Sequence, residues 1–304
     1  MSRGASVFLL VIMGTMWGLQ FAMLKRAAQG GYSDLTILML ALVLLSIAFV
    51  AIMLGRRQMF QITWPRAKFL LIICVLGYII PLGATLAASH HLPAGILTLL
   101  ASFSPVATVI IALLFRTEAV SRLRLAGIGL GTFAVVLVFW PELQLPGAGT
   151  AAYMALTLLI PVCYGMESIY IAKYWPEGLN PLQAVTGETV AAMLCVAPVF
   201  LIFGSPSELG LNWGGAEIAI LLFVLAGVIE SLLYFVIIHH TGGVFVSFGT
   251  FVSLAAGIAW GMVLFGETHG LPVWAAVVIL CAALGLVCFD DPDARRKSGS
   301  APEG

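Results

Sequence analysis

The chain has 304 residues, 61% of them hydrophobic and only 9% charged, with a formal net charge of zero. A soluble domain carries about 25% charged residues, so a water-soluble fold is excluded. A chain without net positive charge also gives no sign of a nucleic-acid partner.

The composition predicts an all-α polytopic membrane protein. A bilayer core of about 30 Å takes about 20 apolar residues per helix. Ten segments of the chain qualify, at about 6–25, 35–54, 68–88, 93–114, 123–140, 150–172, 182–203, 216–238, 243–264 and 270–289. The first is not a signal peptide: its apolar run reaches Leu24, and Lys25-Arg26 stand where a small-residue cleavage site would be. Connections are short and carry Gly, Pro or charge, as at Gly30-Gly31, Arg56-Arg57 and Pro146-Gly147-Ala148-Gly149. The tail at 291–304 is polar and reads as a disordered cytoplasmic extension. Cys74, Cys163, Cys195, Cys281 and Cys288 lie inside apolar runs with no C-x-x-C spacing. They read as small packing residues, with no disulfide framework or metal site.

With the N-terminus inside, twelve of the fourteen Lys and Arg residues fall on the cytoplasmic side and only Lys25 and Arg26 outside. That asymmetry fits the positive-inside rule and predicts both termini in the cytoplasm and an inner (plasma) membrane location.

The stretch His90–Val138 occurs twice. A shift of 149 residues lays it on His239–Val287, aligning His90 with His239, His91 with His240, Ser104 with Ser253, Ala107 with Ala256 and Glu118 with Glu267. The chain therefore reads as two repeats, 1–144 and 145–290, of five helices each. Five is odd, so the repeats are inverted, with a substrate site expected near the membrane midplane between them.

Trp17-Gly18 with Lys25 seven residues on, then Pro105, Glu118 and Gly127, with Tyr164-Gly165 and Glu267 in the second half, resemble the EamA-type permeases of the drug/metabolite transporter superfamily. Leu254 and Ala276 depart from the pattern. The resemblance runs to about Phe289 and implies a ten-helix transporter of small molecules.

Ionisable side chains inside spanning helices are costly and mark pathways or paired interiors. Glu167, Glu188 and Glu230 are three such residues. Counting along their helices at about 1.5 Å per residue places them in one layer, roughly 9–12 Å from the cytoplasmic helix ends. They are the leading candidates for a substrate and proton pathway; a structural hydrogen bond, or a small-residue seam around Glu188, is the plain alternative. Gln20 aligns with Glu167, as Trp17-Gly18-Leu19 does with Tyr164-Gly165-Met166. Trp17, Tyr164 and Tyr234 share helices with these polar groups. Tyr78, Pro81 and Thr85 form one small polar stripe, Thr98, Ser102 and Pro105 a second, and Thr250, Ser253 and Gly257 a third. From these stripes Tyr78, Ser102 and Thr250 join the candidate pathway. Pro81, Pro105, Pro161 and Pro198 are expected to kink helices. Glu118 and Glu267 are expected to cap or anchor helix ends. The His pairs read as interfacial loop residues, with a proton-linked gate as the alternative. Gly127–Gly131 lacks a preceding strand, so it is no nucleotide loop; its Gly-x-x-x-Gly spacing suits close packing with helix ten or with a second protomer as a homodimer.

The chain thus reads as a secondary transporter set in the lipid bilayer, exporting a small amine-bearing metabolite such as an amino acid by proton exchange or facilitated diffusion. It needs no cofactor, having no Walker motif for ATP. Efflux of cationic drugs is the alternative, since acids among aromatic rings suit lipophilic cations. An enzyme is not expected: no H-E-x-x-H or G-x-S-G is present, and Asp34, Asp290, Asp291 and Asp293 all lie outside the spans.

Overall fold

The computed structural model describes residues 2–89, 91, 100–118, 120–139, 151–205, 214–268 and 270–289. The expected linker at 146–149, His90, Thr98 and the tail beyond 290 lie outside the described residues. Every regular element among those described is helical. The helices are α1 (Arg3–Ala28), α2 (Asp34–Gly55), α3 (Trp64–Cys74), α4 (Ile80–Ser89), α5 (Ser104–Leu114), α6 (Arg122–Phe139), α7 (Ala151–Thr157), α8 (Leu159–Tyr174), α9 (Pro181–Phe203), α10 (Gly215–Thr241), α11 (Gly243–Ser247), α12 (Gly249–Phe265) and α13 (Leu271–Phe289).

Among the described residues, six stretches are long and apolar enough to cross a membrane by length and composition: Arg3–Leu24, Asp34–Gly55, Ala152–Tyr174, Pro181–Phe203, Gly215–Thr241 and Gly243–Phe265. Large apolar side chains such as Leu114, Leu201, Phe203 and Val263 stand exposed on the outside of the bundle. Helices that are apolar on their outer as well as their inner faces fit lipid as the surrounding solvent.

Local chemistry sets the helix ends. Asn180 accepts from the Gln183 backbone and Gln183 Oε1 accepts from the Asn180 backbone, so a reciprocal cap opens α9, with Pro181 in its first turn. Ser33 caps α2 through the Thr36 amide. At the start of α10, Glu217 accepts from the Gly214 amide and from the Tyr32 hydroxyl, which ties the α1–α2 loop to α10.

Between α3 and α4 the helix widens to a π turn over Val75–Ile79, where the Ile80 amide bonds to the Val75 carbonyl. The cause is Pro81, which has no N–H to offer Gly77 four residues back, so the ladder slips by one residue. Pro81 was expected to kink the helix; it relieves the missing bond with this π turn. Pro105 behaves differently again. It lies in the first turn of α5, after the turn at Ser102 and Phe103, where its missing donor costs nothing.

The two halves interlock. α1 packs on α10 and α12, while α8 packs on α4 and α5. α2 lies against α9, and α6 against α13. Two glycines let helix backbones approach closely. A Cβ on Gly18 of α1 would lie 2.7 Å from the Gly257 amide nitrogen and 2.7 Å from the Ser253 carbonyl oxygen on α12. A Cβ on Gly165 of α8 would lie 2.9 Å from the Thr108 amide nitrogen on α5. Ser253 and Gly257 are thus a seat for α1, which is what small residues on a helix face allow. Of the third polar stripe only Thr250 reaches the cavity described below. Gly127 packs on Phe248 and on the Ala283 backbone of α13, and Gly131 on Phe251, so that Gly-x-x-x-Gly face is used within the chain. Cys74 and Cys163 are buried and free.

Candidate functional site

A cavity of about 390 Å³ lies between the halves, lined from α1, α2, the π turn, α4, α5 and α8 to α12. Its walls include Trp17, Gln20, Tyr78, Tyr164, Glu167, Glu188, Glu230, Tyr234 and Thr250. Ser102, also a candidate, is buried but lies off this wall. Its place is taken by Ser104, two residues on in the first turn of α5. Ser102 stands in the turn that precedes α5, so the helical face assumed for it does not exist there.

Glu167 of α8 and Glu188 of α9 meet at the π turn. A Cβ on Gly77 would lie 2.9 Å from Glu167 Oε1 and 3.0 Å from Glu188 Oε1. The absence of a side chain at Gly77 is what gives the two carboxyls their room. Glu188 is 3% exposed and Glu167 6% exposed. The two carboxyls hydrogen-bond to each other, a pairing of two acids that needs a proton between them.

Glu230 occupies a second position. Its Oε2 accepts from the Ser231 hydroxyl at 2.9 Å, and Gln20 of α1 lies against it. The Gln20 side chain makes a hydrogen bond to the same carboxyl. Tyr78 from the π turn and Tyr234 from α10 each stand within electrostatic reach of all three carboxyls. Trp17 and Tyr164, which align between the halves, meet edge to face with ring centroids 6.4 Å apart.

The fourth acid on the wall is Asp34, at the exposed start of α2. Among the described lining residues four are acids and none is Lys, Arg or His. The cavity is therefore electronegative, walled by apolar and aromatic surface, and it reaches the exposed Asp34. Beyond Tyr234 a series of edge-on and tilted ring contacts follows. Tyr234 meets Phe235, Phe235 meets Trp175, and Trp175 meets both Phe69 and the exposed His239. The Trp175 indole donates to the Leu179 carbonyl at 2.7 Å, which fixes the ring across this end.

Sequence reasoning missed Gly77, Ser104, Ser231, Ser247 and Asp34 as lining residues. The signal for Gly77 was Pro81 four residues later. The serines carried no signal beyond their proximity to candidates.

Glu118 lies away from the cavity, in the link between α5 and α6. It accepts from the Gly243 amide at 2.6 Å and the Val244 amide at 3.3 Å, capping α11 from a different part of the chain. Gly242, with φ 88°, turns the chain there, and a Cβ would meet the Glu118 carboxylate at 2.8 Å. Burial pushes the Glu118 carboxyl above its ordinary value; the two amides and the nearby Arg124 pull in the opposite direction. Of the described histidines of the two pairs, none lines the cavity: His91 stacks on Tyr153, and His239 and His240 lie in the last turn of α10. Among the described residues no group of three His, Cys, Asp or Glu could hold a metal ion.

Residues 4–140 match the EamA-like transporter family. No curated protein matches the chain. A protein of known crystal structure shares the fold with a TM-score of 0.79 over 95% of this chain and 99% of its own, at 13% identity. At that identity the likeness speaks for the fold alone.

Proposed function

We propose that the chain, whose residues 4–140 match the EamA-like transporter family of the drug/metabolite transporter superfamily, exports a small amine-bearing metabolite in exchange for protons. The observation that carries this reading is the cavity wall itself: Glu167, Glu188, Glu230 and Asp34 with no basic side chain among its described lining residues. An acid in a spanning segment is stabilised by a proton or by a bound cation. An ammonium group that enters can therefore replace a proton, and the proton leaves in its place. The rings of Trp17, Tyr78, Tyr164 and Tyr234 add cation–π attraction for the same charge. That aromatic wall also favours a second reading, efflux of lipophilic cations.

The architecture we infer is ten spans as two inverted repeats of five. The helix pairings support it. Exchanging each first-half helix for its second-half counterpart turns the α1–α10 and α1–α12 contacts into the α8–α4 and α8–α5 contacts, and maps α2–α9 and α6–α13 onto themselves. The two glycine seats exchange in the same way: Gly18 corresponds to Gly165, and Gly257 to Thr108. With Arg56, Arg57, Arg66 and Lys173 at one end, the positive-inside rule assigns that end to the cytoplasm. The Asp34-bearing end then faces outward, and the ring contacts around Trp175 lie on the inner side. Inner-membrane placement with both termini in the cytoplasm follows from the same assignment.

The test compares small molecules released by cells making the wild-type chain and cells making Glu167→Gln, at matched expression. Release of a defined amine set by wild type alone is the expected result. Release equal to an empty-vector control from both chains would overturn the export reading. Equal release from both chains above that control would remove Glu167 from the pathway and move attention to Glu230.

A further inference from the structure

The acids of the cavity are not one cluster but two positions. Glu167 and Glu188 converge on the space left by Gly77, whereas Glu230 sits with Ser231 and Gln20. Glu188, 3% exposed, lines the cavity and hydrogen-bonds to Glu167, a pairing of two acids that needs a proton between them. A donor that arrives with the ligand can take that proton's place. The wall offers acceptors at both positions, and no basic side chain among its described residues would meet a carboxylate. A zwitterion would bring its own carboxylate into a field of like charge, which is repulsive in a medium of low dielectric constant. Tyr78 and Tyr234, near all three carboxyls, supply ring faces for the chain of a flexible ligand. Among the described residues no group of three His, Cys, Asp or Glu could hold a metal ion.

Resting on the transport reading above, we propose that the cavity is built for a linear aliphatic diamine or polyamine. One ammonium binds between Glu167 and Glu188 at Gly77, and the other at Glu230. Charge balance sets the exchange. Uncompensated carboxylates inside the membrane are costly, so the empty site holds protons. A dication that enters releases two of them, one for each ammonium. The net charge of the site is the same before and after, and no co-reactant other than protons is needed.

The experiment uses the full chain purified and reconstituted in liposomes, with uptake driven by an imposed pH gradient. The probes are 1,4-diaminobutane, butylamine and 4-aminobutanoate: a dication, a monocation and a zwitterion of equal chain length. Wild type is expected to move the diamine about ten-fold faster, or more, than either of the others, as one extra charge-assisted contact implies. Glu188→Gln removes a charge from the inner position, and Gly77→Ala fills its space without changing charge. Each is expected to bring the diamine-to-butylamine ratio toward one, with the melting of each variant in detergent as the check on folding. Butylamine or 4-aminobutanoate moving as fast as the diamine in wild type would overturn the two-ammonium site and leave amine transport standing. A ratio unchanged in both folded variants would overturn the inner position. Movement of none of the three by folded wild type would overturn this proposal together with the amine reading beneath it.

Discussion

Glu118 shows what a single membrane-edge carboxylate does here. Its two oxygens satisfy the first amides of α11, Gly243 and Val244, from outside that helix. Burial raises its proton affinity more than those amides and Arg124 lower it. A carboxyl whose folded value lies above its unfolded one stabilises the fold most below the unfolded value, and loses that contribution as pH rises through the folded value. Glu118→Gln keeps an acceptor but does not titrate. The variant should therefore gain on wild type in melting temperature as pH is raised from about 4, near the unfolded carboxyl value, toward 8. Melting in detergent across that range measures it. A wild type that gains on the variant instead would show that Arg124 and the amides outweigh burial. Glu118→Ala, which leaves both amides without an acceptor, should cost about 0.5–2 kcal/mol at any pH in the range. The sequence reading of Glu118 as a helix-end anchor holds; that it caps a helix 125 residues away was not legible, because the spacing of a cap to a distant helix leaves no local pattern.

Elements fit together here through what is missing from them. Gly18 and Gly165 have no side chain where α1 crosses α12 and where α8 crosses α5. The nearest atoms at both seats include backbone, which cannot rotate aside as a side chain can. Gly18→Ala and Gly165→Ala should each destabilise the protein by about 1–3 kcal/mol, the usual cost of overpacking. Chemical or thermal unfolding in detergent reads this directly, and a neutral result at both sites would mean that the two seats are looser than their geometry. The glycines were visible in the sequence as part of paired openings, Trp17-Gly18 and Tyr164-Gly165. Their partners were not, since Ser253 and Gly257 carry the same small-residue signature whether they line a cavity or seat a helix. The π turn was hidden for a similar reason. Pro81 announces a lost hydrogen bond, but whether a helix answers with a kink, a break or a wider turn depends on its neighbours. At Val75–Ile79 the wider turn brings Gly77 between Glu167 and Glu188.

For the whole molecule, the buried acids were the most readable feature. Glu167, Glu188 and Glu230 stood out as acids inside apolar helices, and all three line one cavity. The ring contacts beyond Tyr234 could not be read, because they join three separated parts of the chain: Phe69, Trp175, and Phe235 with His239 on one helix, come together only in the fold. With the positive end in the cytoplasm, this arrangement presents Asp34 to the outside and Trp175 to the inner side. Two cysteine variants test both statements at once. Asp34→Cys, on the exposed rim of the cavity, should react in intact cells with a maleimide that does not cross membranes. Gln58→Cys, at the other end near Asn180 and Gln183, should react only after the cells are opened. Labelling is read against the wild-type chain, which carries Cys281 as an exposed thiol. The opposite pattern would turn the molecule over and place Asp34 on the cytoplasmic side. Equal labelling of both positions in intact cells would deny that the bundle separates two compartments along this axis.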